Sequence, residues 1–208
     1  SNPASSETGQ TDNGSGTGNT GDSQQNVETG GSGAARAKIP DVLAENARDH
    51  DEASDYIWDI KDVKQIVLSG NKITSSSTGV AISGNTATIT SAGTYSISGS
   101  LSDGRILVDT NDTEPVRLIL NGAVISSSKN APVSVTSAEK VIIVLADNTD
   151  NKVTDASSYI FETAGTDEPN AAIFSTSDLT ICGNGSLTVT GKYRDGIASK
   201  DGLIVKNA

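Results

Sequence analysis

The chain has 208 residues, a formal charge of −11, one Trp, four Tyr, two Phe, no Met and a single cysteine, Cys182. So acidic a surface repels nucleic acid and anionic membranes, and one cysteine excludes an internal disulfide. With 34% hydrophobic residues the chain lacks the large side chains of an ordinary globular core, but narrow rows of Val, Ile and Leu stacked on one another need none.

Residues 1–34 are mostly Gly, Ser, Thr, Asn, Gln and acidic residues, with Val27 as the only large aliphatic side chain. Such a segment cannot bury enough apolar surface to offset its ordering entropy, so a disordered tether is expected. Its carboxylates Glu7, Asp12, Asp22 and Glu28 favour extension. Tethers of this composition follow a secretion signal or a lipid anchor, or are plain tails; the start at Ser1 without Met fits a cleavage product or an expression boundary. No apolar run reaches membrane-spanning length.

Residues 35–62 read as a helical lead-in. Pro40 suits a first helical position and Leu43 and Ala47 share a face, which predicts a short helix within Ile39 to Glu52. Tyr56, Ile57 and Trp58 follow it. They are expected to cap the first rung of the β region, with Trp58 as a sugar-stacking platform as the alternative.

From residue 63 to 208 strands and turns alternate. Predicted strands are Gln65 to Leu68, Gly79 to Ser83, Thr86 to Thr90, Thr94 to Ser98, Arg105 to Asp109, Val116 to Leu120, Pro132 to Thr136 and Val141 to Leu145. Gly70-Asn71, Gly84-Asn85, Asp103-Gly104, Asn121-Gly122 and Gly183-Asn184-Gly185 mark turns. The strongest pattern comes last: Ile173, Ser175, Leu179 and Ile181 recur 24 residues later as Ile197, Ser199, Leu203 and Val205. Matched positions at one interval, with apolar residues alternating inside each run, predict a parallel β-helix. Earlier rungs keep looser time, with Leu118 and Leu120 set 23 residues before Val141 and Ile143, and Val133 set 40 before Ile173. The stretch Thr154 to Asn170 then reads as a loop inserted into one circuit. Its Tyr159-Ile160-Phe161 patch either serves function or lies against the outer wall.

Few residues offer chemistry. Cys182 has no neighbouring base or metal partner and reads as inert rather than reactive. His50 is the only histidine, which rules out a serine triad or a His-ligated zinc, and no phosphate-cradling motif is present. Asp147, Asp150 and Asp155 read as solvated turn residues, with weak calcium binding as the alternative.

Several motifs, in order, carry a resemblance: Ala92-Gly93-Thr94-Tyr95, Ser98 to Gly104 with Val108-Asp109, Glu114 to Gly122 (EPVRLILNG), Asp167 to Ser175 (DEPNAAIFS), and Asp195 to Asp201. The segment His50 to Asp59, ending in DYIWD, joins them. Together they resemble the secreted bacterial carbohydrate-binding domain proteins that form right-handed parallel β-helices similar to family nine polysaccharide lyases. The resemblance covers about Ile39 to the C-terminus. It implies an extracellular or surface-tethered protein that binds acidic or cellulosic plant cell-wall polysaccharide, polygalacturonate above all, with Ca2+ as cofactor. Carboxylates at stacked turns hold calcium in that family, which maps onto Asp195 and, less firmly, Asp201. A turn Asp before Gly has conformational reasons of its own.

Calcium would also bridge an acidic protein to an acidic polymer. Catalysis is not expected: Lys192, Arg194 and Lys200 lie near Asp195, but no motif surrounds them, and the resembling lyases place their base on a later rung. A cell-surface stalk or adhesin domain is the alternative reading, and a lyase lacking its catalytic rungs the second. The rung Ile197 to Val205 has no successor, so the coil is expected to be the truncated part of a longer one, with most of its binding site further on.

Overall fold

The computed structural model describes residues 50–161 and 164–207. The expected tether, residues 1–34, lies outside the described residues, as does the expected helix up to its last three positions. What is described is nearly all β. Two hairpins open it: β1 (Lys64–Gly70) with β2 (Lys72–Thr74), and β3 (Val80–Ser83) with β4 (Thr86–Ile89), each pair antiparallel. They turn at the predicted Gly70-Asn71 and Gly84-Asn85, where both glycines take positive φ.

From there every pairing is parallel. The strands are β5 (Gly93–Leu101), β6 (Arg105–Asp109), β7 (Val116–Ser126), β8 (Val133–Ser137), β9 (Lys140–Leu145), β10 (Asp150–Thr154), β11 (Ala171–Ser175), β12 (Asp178–Gly183), β13 (Ser186–Thr190), β14 (Asp195–Ser199) and β15 (Leu203–Lys206). One sheet runs β15-β12-β9-β7-β5-β1-β2 and the other β14-β11-β8-β6-β4-β3. The chain thus passes from one sheet to the other and back. The ends of β5 and β7, with β10 and β13, form a third row.

Register follows the 24-residue recurrence where it was strongest. Ile173 faces Ile197, Ser175 faces Ser199, Leu179 faces Leu203 and Ile181 faces Val205. Val133 faces Ile173, so the 40-residue interval also holds and the inserted loop absorbs the difference. The 23-residue alignment does not: Leu118 faces Ile143 and Leu120 faces Leu145. A slip of two keeps the same residues inward, because side chains alternate with period two, and apolar patterning alone cannot detect it.

Inward side chains stack in rows. Tyr95, Leu118, Ile143 and Ile181 form one row, and Leu101, Ile125 and Val153 another, all essentially inaccessible. The first row ends on Val205, 57% exposed. Asn151 is buried at the third row, where its Oδ1 accepts from Ala123 N at 2.9 Å and its Nδ2 donates to Ser186 O at 3.1 Å. One amide thereby ties three successive circuits together.

Glycine makes the corners out of the first sheet. Gly183 takes φ of +116°, and a Cβ there would lie 2.3 Å from Leu145 O. Nothing larger fits. Cys182 beside it is buried and its thiol is pushed up by that burial, as the inert reading requires.

Residues 50–62 do not cap the first rung. They form a strap with two short 3-10 turns, Ala53–Tyr56 and Ile60–Asp62, that crosses the outer wall of the first sheet from its last strands toward β1. Asp51 receives Lys206 Nζ from β15 at 2.7 and 2.8 Å, and buried Asp55 receives Lys140 Nζ from β9 at 3.0 Å. Arg117 of β7 donates to the carbonyls of Ser54 and Asp55, both at 2.8 Å. Buried His50 lies 3.8 Å from the partly exposed Asp178, which sets the strap's start beside β12. Arg117, Lys140 and Lys206, on three strands of the sheet, each meet an acceptor of the strap, which is why it lies flat along the wall.

Gly183→Ala should lower stability by about 1–3 kcal/mol in urea unfolding, whereas Gly196→Ala, whose Cβ meets only a Val189 methyl at 3.6 Å, should shift it by less than about 0.5 kcal/mol.

The Tyr56 hydroxyl donates to Asp51 at 2.5 Å, and its phenol is pushed up to about 12, by burial first and by Asp51 next. Its protonated form supports the strap below the ordinary tyrosine value of 10.0 and loses that support as pH rises through about 12. Asp51 is held below the usual carboxylate range by Lys206 and Tyr56, so its support persists above that range and is lost as pH falls through the depressed value. Phenolate absorbance should place the Tyr56 transition near 12, and Asp51→Asn should bring it down toward 10.

Candidate functional site

The inserted loop after β10 is anchored by a carboxylate that reads from the sequence as a solvated turn residue. Asp155 is 1% exposed and accepts from Tyr159 OH at 2.8 Å, Lys192 N at 2.5 Å and Tyr193 N at 3.4 Å. Burial, and then Asp155, push the Tyr159 phenol up, so the ring stays a neutral donor. Tyr159 stacks on Tyr193 with ring centroids 4.4 Å apart, and Phe161 packs against both at 6.1 and 6.3 Å. Ile160 N donates to Lys129 O at 2.7 Å, which fixes the same limb to the turn between β7 and β8. The Tyr-Ile-Phe patch thus lies against the outer wall, with Tyr159 buried and Ile160 65% exposed.

Beneath the loop runs a groove of about 330 Å3 on the outer face of the second sheet. Its floor carries Arg105, Ser134, Thr136 and Thr176, outward positions on or beside β6, β8 and β11. Phe161 and Pro169 stand on the loop side, and Phe174 closes the base. Hydroxyls and a guanidinium on one side and apolar rings on the other suit a ligand with polar edges and apolar faces. Such is the surface of a sugar ring.

The loop's other limb is tethered to the ends of β14. Glu168 receives Lys200 Nζ at 2.8 Å and Asp167 receives Arg194 Nη1 at 3.4 Å. Both pairs are exposed and add little stability, but they orient the limb.

Asp195 opens β14 and Asp201 lies two residues past its end; both are exposed. The five-residue strand alone spans about 13 Å, so two short carboxylates placed this way do not meet at one ion. Among the described residues no three His, Cys, Asp or Glu side chains gather as metal ligands, far from the six to eight oxygens calcium takes. Asp147 and Asp150 each accept one hydrogen bond, from Asn184 Nδ2 at 3.0 Å and Ser186 Oγ at 2.5 Å, and face different partners rather than a common ion. The structure therefore brings together Tyr159, Phe161 and, unforeseen from the sequence, Asp155, Tyr193 and Arg105. It does not bring Asp195 and Asp201 together.

An all-β chain that stacks parallel strands and builds its grooves from insertions on the outer wall defines the class. The family model described as carbohydrate-binding domain-containing protein matches residues 83–208, and the chain belongs to that family. A carbohydrate-binding domain-containing protein of Acetivibrio thermocellus is 41% identical over 140 residues, 67% of this chain and 49% of that protein. The chain therefore spans about half the length of this curated relative. Among solved structures, a polysaccharide lyase-like protein from C. thermocellum, in a gadolinium derivative, superposes with a TM-score of 0.67 at 40% identity, over 69% of this chain and 58% of that one.

Replacing Asp155 tests the anchor. Asp155→Ala should cost about 1.5–3 kcal/mol through the donors it leaves buried, and the Ile160 amide should exchange faster as the limb comes loose.

Proposed function

We propose that the chain binds plant cell-wall polysaccharide without cleaving it, in the groove beneath the inserted loop, as part of a secreted or surface-tethered bacterial protein. The observation that carries this reading is the loop itself: buried Asp155 holds an aromatic limb against a floor of hydroxyls and Arg105. Membership in the carbohydrate-binding family supports it. The chain's course, alternating between two parallel sheets, supports a right-handed parallel β-helix like that of family nine lyases. Arg105 favours an acidic polymer of the polygalacturonate class, since its five N–H donors allow a charge-assisted contact to a uronate carboxylate beside the partner it already has, and Glu168, which also lines the groove, has its charge met by Lys200.

Calcium enters this reading as an ion carried in with the polymer. Asp195 or Asp201, exposed near the edge strand of the second sheet, would supply one ligand and the uronates the rest. Binding is taken as non-catalytic because the matching family model is described by carbohydrate binding and no motif surrounds Lys192, Arg194 or Lys200, the last two of which pair with Asp167 and Glu168.

Affinity electrophoresis through polygalacturonate and cellulose, with calcium and then with chelator, is the test. Retardation by polygalacturonate, stronger with calcium and weakened about tenfold in Phe161→Ala or Arg105→Ala, is expected, with no unsaturated uronide released. No retardation by either polymer sinks the reading and leaves a structural stalk; release of unsaturated product sinks the non-catalytic part.

A further inference from the structure

The strap encloses a second trough, on the opposite sheet. Its floor is a row of outward side chains in strict register: Ile119 on β7 faces Val144 on β9, Val144 faces Cys182 on β12, and Cys182 faces Lys206 on β15. Tyr56, Trp58 and Ile60 of the strap form the facing wall, and the space between is about 630 Å3. The strap residues precede the segment matched to the family, 83–208.

Trp58 is the key to it. The indole is half-buried, yet among the described residues it has no ring, cation or hydrogen-bond partner. Tyr56, by contrast, is held from both ends, its hydroxyl by Asp51 and its ring by Lys206 Nζ, 4.1 Å from the centroid. An aromatic face and an N–H donor left uncommitted in a concave wall are what a pyranose ring uses, the face for its C–H surface and the donor for a hydroxyl.

Charge narrows the ligand. Among the described residues that line the trough the only cation is Lys206, which is neutralised by Asp51 at 2.7 and 2.8 Å, while Asp147 stands on the rim. A uronate would meet a carboxylate and no available positive charge. An uncharged sugar meets the Asn184 amide and the Asp147 carboxylate, joined at 3.0 Å and ready to take hydroxyls on their remaining positions. Spacing points the same way, since the row rises by about 4.8 Å per circuit, close to the length of one ring in an extended β-linked chain.

We propose that the trough is a separate binding site for a neutral β-linked glucan, with Trp58 as the stacking platform and Asn184 and Asp147 as hydroxyl partners. The proposal rests on the carbohydrate-binding reading of the family but not on the loop groove. It assigns neutral chains to one sheet and acidic chains to the other.

Trp58 is the only tryptophan, so its fluorescence reports on this site alone. Titrating the protein with cellohexaose should give a saturable emission change, and hexagalacturonate should give none. Calorimetry should show cellohexaose affinity down at least about tenfold in Trp58→Ala and partly restored in Trp58→Phe, with unchanged thermal midpoints and unchanged retardation in polygalacturonate gels. Phe161→Ala should bind cellohexaose normally. If Trp58→Ala binds cellohexaose like the parent, or Phe161→Ala loses it, the neutral ligand belongs to the loop groove and this proposal is wrong while the function above stands. Saturable Trp58 response without retardation in polygalacturonate would instead sink the loop-groove reading and leave this one intact.

Discussion

The parallel ladder governs everything else in this molecule. Once β5 pairs with β7, and β7 with β9, each backbone group is committed to the circuit before or after it, and each side chain is forced onto the counterpart directly above. Inward positions become continuous apolar rows with no room for a ligand. Outward positions become rows as well, one residue per circuit at a fixed rise. Any binding surface must therefore be assembled outside, from those outward rows and from whatever segments the chain lays over them.

Two segments do this, and each is fixed by a carboxylate buried to 1% exposure, Asp55 in the strap and Asp155 in the loop. Burying a charge is costly unless it is fully paired, so such groups serve less to stabilise than to specify one arrangement. Asp55 meets Lys140 and the Glu52 N–H through Oδ2 alone, its buried Oδ1 having no hydrogen-bond partner among the described residues, and Asp155 meets three donors, two of them backbone N–H groups. Sliding either segment by one residue would leave the carboxylate unpaired. The strap and the loop consequently have one position each on walls that offer many equivalent outward rows.

How much of this is legible in the sequence depends on whether the signal is local. Leu179 and Ile181 predict their partners because the whole rung repeats without interruption, and the β content and the family motifs are plain for the same reason. Leu118 is misaligned by two because alternation is blind to even slips. β10 and β13 have no strand signal of their own, since DNKVT and SLTVT carry only Val153, or Leu187 and Val189, toward the core; their strand character comes from neighbouring circuits. Asp155 looks like any turn aspartate until Lys192 and Tyr193, some 37 residues on, come round to meet it. The strap looks like a cap in sequence because nothing near Tyr56 in the chain reveals that Lys206, 155 residues from Asp51, is its neighbour.

Rigidity then decides what these grooves can do. A polysaccharide loses much torsional freedom when it is held extended, and a protein that also had to order a loop or a strap would bind it weakly. Here the ordering is done during folding: the loop is pinned by Asp155, Ile160 and the Glu168–Lys200 pair, the strap by Asp51, Asp55 and the backbone acceptors of Arg117. The ladder beneath cannot shift without breaking every rung. A surface so fixed suits a long ligand of repeating units, because each further sugar that reaches the next outward row adds contacts without adding an ordering cost on the protein side.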